Sequence, residues 1–258
     1  MNLYLTWASG IRKDNWSEYH AYFASVSSVL REDRFVCLTD DIDPEYERQI
    51  SALSCDVVRT ARKNKRFFTS RWHAYWEFLL SEKFKAVVIT DSRDVVFQRA
   101  PWGFLTDRVR LASEGFAHGR SAFNMTDQMR LQVSQGEELE NFAGWEVVNG
   151  GICMGCREQA ADFCFLMWSN CLGRPSCTDQ AVINMVARNL RGTGALVVSD
   201  PAADSFCLTG EAVKEGLLSF EPKSRGGKVC DASGEPYAIF HQWDRTIFRN
   251  EILNSFLK

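Results

Sequence analysis

The stretch Ala86-Val-Val-Ile-Thr-Asp-Ser-Arg-Asp-Val-Val-Phe-Gln98 runs from an apolar segment into two acids and out again. From Ala86 to Thr90 the side chains do not alternate between apolar and polar, which predicts a strand buried on both faces. Asp91 and Asp94 then fall at its C-terminal end, the edge at which open α/β sheets bind ligands. Three positions apart on a turn, the two carboxylates can converge on one point, and hard oxygen ligands suit Mn2+ or Mg2+ holding a diphosphate. The same acids equally fit an ordinary capped strand end. An aspartyl-phosphate phosphotransferase, with Asp91 as nucleophile, is disfavoured because Arg93 stands two positions on, where such enzymes carry a second acid.

The 258 residues are 45% hydrophobic and 12% aromatic, enough for one sizeable core, and one α/β domain spanning residues 1–258 is expected. Within it, residues 1–100 and residues 101–258 are read as two halves of that one domain. A net charge of −3 and an isoelectric point near 5.9 give no general attraction to nucleic acid. The N-terminal Met1-Asn-Leu-Tyr-Leu-Thr-Trp7 lacks a basic, apolar leader, and no stretch reaches the ~20 apolar residues of a transmembrane helix. A soluble protein is expected, in the cytoplasm or peripheral at the cytoplasmic face of a membrane. Nine cysteines, an odd number, point to reduced thiols, and Cys153-Met-Gly-Cys156 has no second pair at zinc spacing.

Leu3–Trp7 and Phe35–Thr39 read as the first two strands, with a helix from Ser17, a plausible N-cap, to Leu30 between them. A base or ribose would lie by the polar groups at their ends, Thr6, Thr39 and Asp40, although each also suits a plain turn or cap. A short helix over 44–53 and a strand over 54–59 follow. The densest basic cluster, Arg62, Lys63, Lys65, Arg66 and Arg71, precedes a helix over 69–82 whose Trp72, Tyr75, Trp76, Leu79 and Leu80 recur at helical spacing and predict core. Arg66 and Arg71 could grip a diphosphate in bidentate fashion or form a solvated basic face.

A strand at 111–113 leads into a polar tract, 114–144, with a helical middle over 124–141, an excursion suited to acceptor recognition. In Glu146-Val-Val-Asn-Gly-Gly-Ile, the glycines Gly150 and Gly151 let the backbone approach a ligand or a neighbouring strand, and Asn149 could bond a sugar hydroxyl. After an amphipathic helix over 157–171, Thr178 or Ser176 can cap a helix with Asp179 and Gln180 in its first turn. Helix-start preference accounts for Asp179 but not for Gln180. A strand at 195–199 and a loop-rich tract over 200–234, softest at Gly226-Gly227, lead to Tyr237-Ala-Ile-Phe-His241, a strand ending in a histidine that is either structural or a third metal ligand.

The order of these motifs, from basic helix start through paired acids, Asn-Gly-Gly and Asp-Gln to a C-terminal histidine, resembles the GT-A-type glycosyltransferases. The likeness is to retaining family-eight-like enzymes and polysaccharide-building transferases, and it covers residues 3–245. It implies a Rossmann-like, mixed but mostly parallel central sheet flanked by helices. It implies Asp91, Asp94 and His241 around Mn2+ or Mg2+, and Ser92, Arg93, Asn149, Gly150 and Gly151 beside the nucleotide sugar. Asp179 and Gln180 would lie near the anomeric carbon. The partners implied are a nucleotide sugar, UDP-linked, and a glycan or lipid-linked saccharide acceptor. The family's acids stand two apart, whereas Ser92-Arg93 separates these, leaving the number of direct carboxylate ligands open. Two rival readings remain: a sugar nucleotidyltransferase, for which no early Gly-rich loop with lysine is found, and a non-catalytic nucleotide-sugar-binding protein.

Overall fold

A computed structural model describes residues 1–135, 142–174, 177–216 and 218–257. In chain order its first half comprises β1 (Leu3–Trp7), α1 (Trp16–Val29), β2 (Arg34–Thr39), α2 (Pro44–Ala52), β3 (Asp56–Arg59), α3 (Phe67–Ser81), β4 (Ala86–Thr90) and β5 (Val95–Phe97). The second half adds β6 (Val109–Ala117), α4 (Ala122–Gln135), β7 (Glu146–Cys156), α5 (Arg157–Leu172), α6 (Asp179–Leu190) and β8 (Leu196–Ser199). It ends with β9 (Cys207–Thr209), α7 (Gly210–Lys214), β10 (Lys223–Arg225), β11 (Lys228–Cys230), β12 (Ile239–His241) and α8 (Arg249–Phe256).

Seven strands form the central sheet in the order β3-β2-β1-β4-β7-β6-β8. Only β7 runs against the rest, being antiparallel to both β4 and β6. The mixed, mostly parallel sheet flanked by helices is the architecture expected from the sequence. Side chains of β1 and β4 go alternately to two apolar layers: Leu3, Leu5, Val87 and Ile89 join the one built with α3, α5 and α6, while Tyr4 and Val88 join the one beneath α1 and α2. Burial on both faces explains why β4 shows no polar alternation.

A smaller sheet, β5-β12-β9, lies beside the main one. β12 pairs antiparallel with β5, bringing His241 opposite Val95, the residue that follows Asp94. Chain-distant residues therefore meet through backbone pairing.

Several local expectations change. α1 begins at Trp16, and Asn15, not Ser17, stands at its N-cap position; the Asn15 amide bonds Arg12 N and Gly10 O, closing the preceding turn and leaving the helix end uncapped. In α3, Trp72, Tyr75 and Leu79 are buried as expected, but Trp76 is half-buried and Leu80 is 57% exposed, because the helix packs over a narrower arc than its apolar stripe. Glu114 belongs to β6, which continues through the start of the tract read as polar excursion. The helix there is α4, starting at Ala122; residues 136–141 of that expectation, and the alternative cap Ser176, lie outside the described residues. Gly226 and Gly227 form the two-residue turn of the β10–β11 hairpin, where both take positive φ (59° and 80°) as a type I′ turn requires. All nine cysteines are free thiols, eight of them buried.

Candidate metal centre

β1 and β4 are adjacent, and their neighbours β2 and β7 depart in opposite directions, so the crevice outside their carboxyl ends is the switch point at which such sheets bind ligands. Ser92 Oγ donates to Trp7 O at 3.0 Å, fastening the turn after β4 to the end of β1. From this turn Asp91 and Asp94 meet His241 at the end of β12. His241 Nε2 lies 3.4 Å from Asp94 Oδ1 and 3.7 Å from Asp91 Oδ2. One ligand atom from each residue falls within 4.8 Å of the others, and among the described residues no other such trio of His, Cys, Asp or Glu occurs.

On the β7 side of the trio the backbone leaves no room for a side chain. A Cβ on Gly151 would stand 2.6 Å from Asp91 Oδ2 and 2.7 Å from His241 Cε1. Gly151 O accepts from Asp91 N at 2.9 Å, so the β4–β7 ladder carries the glycine to the carboxylate. Beyond His241, Gln242 adopts a left-handed conformation (φ 58°) and donates its N–H to Asp94 O at 2.6 Å. A non-glycine residue in that region costs of order 1–3 kcal/mol and persists where its surroundings demand it.

Electrostatics couple the three residues. Burial alone would lower the His241 pKa, but Asp94, Asp91 and Glu114 outweigh it and raise it above its ordinary value. Burial likewise works to raise Asp94, yet His241, Arg245 and Arg93 draw it down to about 2. Without metal, the carboxylates beside His241 favour its protonated form. Two hard oxygens and an imidazole also fit Mn2+ or Mg2+, and the buried, unpartnered His241 Nδ1 leaves the ring's other nitrogen facing the acids.

Arg71 links this cluster to α6. Its guanidinium bonds Asp91, donates to Asp179 Oδ2 from Nε at 3.0 Å and Nη2 at 2.5 Å, and reaches Gly150 O at 3.2 Å. Trp72 Nε1 adds a 3.1 Å bond to the same Asp179 oxygen. Burial opposes the charge on Arg71, but Asp179 and Asp91 hold its pKa well above the ordinary value. Arg71 is therefore an internal brace rather than a free diphosphate grip. Gln180 Oε1 accepts from Gly150 N at 2.8 Å and its Nε2 donates to Val148 O at 2.6 Å. Asn184 Oδ1 similarly takes Val148 N at 2.8 Å. These amides serve β7 where its register with β6 shifts, which is the reason for Gln180 that helix-start preference lacks. Thr178 occupies the N-cap position of α6, but Asp127 takes both its hydroxyl and its N–H, so the helix start is fastened to α4.

The remaining expected site residues divide. Asn149 is at the cluster, its Oδ1 accepting from Gly151 N at 2.8 Å and its Nδ2 donating to Glu114 Oε1 at 2.6 Å. Arg93 is half-exposed, 3.4 Å from Glu18 and 4.0 Å from Asp244. Thr6 and Thr39 are wholly buried; Thr6 donates to Thr90 O and Thr39 accepts from Asp41 N, so neither hydroxyl faces a ligand. Asp40 is paired with Arg62 at 2.5 Å, and Arg62 also holds Ser9 Oγ. Arg66 bonds the carbonyls of Arg174 and Cys177, away from the acids.

Two residues beside the cluster were not singled out by the sequence. Arg245 lies 3.8 Å from Asp94 Oδ2 and 3.6 Å from Glu211 Oε2, with its side chain 44% exposed. Glu114 is 4% exposed, and burial raises its pKa against the pull of His241 and the Asn149 bond. No sequence pattern marks Glu114, because Arg110 and Ser113 interrupt the apolar residues before it and β6 continues past it to Ala117. The chain matches no protein-family model and no curated protein. Among the described residues, no helix is long and apolar enough to cross a membrane.

Proposed function

We propose that the protein is a GT-A-like glycosyltransferase that moves a hexosyl group from a nucleoside-diphosphate sugar, a UDP-sugar, to a hydroxyl of a glycan or lipid-linked saccharide. The observation that carries this reading is the meeting of Asp91, Asp94 and His241 at the carboxyl edge of the sheet's switch point. These three residues would hold Mn2+ or Mg2+. When bound, such an ion supplies Lewis-acid neutralisation of diphosphate charge.

The chain's own residues account for the rest of the site. Arg245, half-exposed and loosely paired, offers a second positive group for the diphosphate. Arg71, Asp179 and Gln180 hold the Gly150–Gly151 segment against the cluster, and through it the floor beneath a donor sugar. In the reaction the acceptor oxygen forms a bond to the anomeric carbon, the bond from that carbon to the β-phosphate oxygen breaks, and its electron pair leaves with the nucleoside diphosphate. The acceptor's proton departs to the diphosphate or to solvent.

Incubation with a panel of UDP-sugars and Mn2+, with and without chelator, tests the reading by release of UDP. Release of pyrophosphate from UTP and a sugar phosphate would identify a nucleotidyltransferase, and binding without turnover a non-catalytic protein. NMR of the product linkage is expected to show the donor's anomeric configuration retained.

A further inference from the structure

A cavity of about 320 Å3 opens beside the metal centre, lined among others by Glu114, Phe123, Gln180, Glu211, Gln242 and Arg245. Its volume sits at the small end of the roughly 300–1,000 Å3 typical of ligand pockets. Glu114 Oε1 is taken by Asn149, while buried Oε2 has the Thr209 hydroxyl as its neighbouring donor but makes no hydrogen bond of good geometry among the described residues. An under-satisfied buried acceptor costs roughly 1–3 kcal/mol, so a second donor reaching Glu114 as its carboxyl turns toward the cavity is favoured. A ligand hydroxyl supplies one.

Charge narrows the class. Glu114 and Glu211 set two carboxylates against one guanidinium, Arg245, which faces Glu211 and Asp94 and which the proposed function assigns to the donor diphosphate. An anionic ligand would meet like charge next to the buried acid, whereas a neutral polyol would not. At the mouth, Phe123 is 62% exposed on the first turn of α4, an apolar ring of the kind that covers the C–H face of a pyranose. We infer that this cavity receives the acceptor as an uncharged saccharide end, one hydroxyl donating to Glu114 Oε2 and one ring face lying on Phe123. The assignment of this ligand as acceptor rests on the glycosyl-transfer reading; its chemistry rests on the cavity alone.

The test is binding of methyl glucoside and methyl galactoside to the metal-free protein, followed by ligand-observed NMR, against the matched methyl glucuronide and galacturonide. At least one neutral glycoside should bind, with its uronide about tenfold weaker, a gap of about 1.4 kcal/mol. Phe123→Ala, at an exposed position, should weaken neutral binding about tenfold, and Glu114→Gln should narrow the neutral-to-uronide gap. Absence of neutral binding, uronides binding as well or better, or unchanged binding by folded Phe123→Ala would each overturn the inference. UDP release with Mn2+ but no glycoside binding would defeat it alone. Glycoside binding without any UDP-sugar turnover would instead defeat the proposed function and leave the saccharide site standing.

Discussion

The imidazole of His241 stands 3.4 Å from the carboxylate of Asp94 although most of the second half of the chain lies between them. Pairing of β12 with β5 enforces that approach, so the geometry is set by the backbone before any ion arrives.

Asp94→Ala removes one of the three proposed metal ligands and the principal counter-charge of His241. Mn2+ binding measured by calorimetry should be lost, and UDP release should fall by roughly a hundredfold or more. Full activity in this variant would discard the metal-centre assignment.

The two charged states of the trio predict opposite pH responses. His241 has its pKa raised above 6.5, so its contribution to the metal-free fold is complete below that value and fades as pH rises through the raised one. Asp94, lowered from 3.8 to about 2, contributes above 3.8 and loses its contribution as pH falls toward 2. The melting temperature without metal should therefore drop as pH rises above 6.5 and through the raised value of His241, while Mn2+ affinity rises over the same interval because the ion displaces the imidazole proton. A His241→Gln variant should show neither trend in scanning fluorimetry.

Gly151→Ala places a methyl group 2.6 Å from Asp91 Oδ2 and 2.7 Å from His241 Cε1. A cost of about 1–3 kcal/mol and at least tenfold weaker Mn2+ binding are expected. Gly103→Ala, where no atom lies within 4 Å of the added carbon, is the control and should change neither.

Asp179→Ala strips Arg71 of its closest buried partner. With Asp91 left as its only carboxylate partner among the described residues, Arg71 should lose about 3 kcal/mol of support, the low end for a broken buried ion pair, read from the denaturant midpoint. A surface variant such as Arg12→Ala, whose partners Asp41 and Asp43 are half-exposed, should cost less than about 1 kcal/mol.

The legible parts of the sequence were those where one residue's neighbours already state its environment. The run from Ala86 marked a doubly buried strand, and the acids after it marked a sheet edge. His241 was legible as a strand end, but its meeting with Asp94 depends on β5, three residues long and paired through a separate sheet, which no periodicity announces. Arg71 looked like one of five cations in a basic cluster. Only the fold brings Asp179 and Asp91 to it and turns a prospective anion grip into a brace. Thr6 and Thr39 were misread because a polar side chain at a strand end looks the same whether it points to a crevice or bonds inward. Glu114 went unnoticed because Gly115, at a positive φ of 75°, breaks the apolar pattern just where β6 continues.

The β5–β12 ladder also sets an order of events for a chain emerging from the ribosome. The carboxylates are made early, but their histidine and the strand that covers β5 arrive together near the end. The three-residue cluster is thus absent until the chain has reached His241, and any cation uptake by the trio would report closure of the β5–β12 ladder.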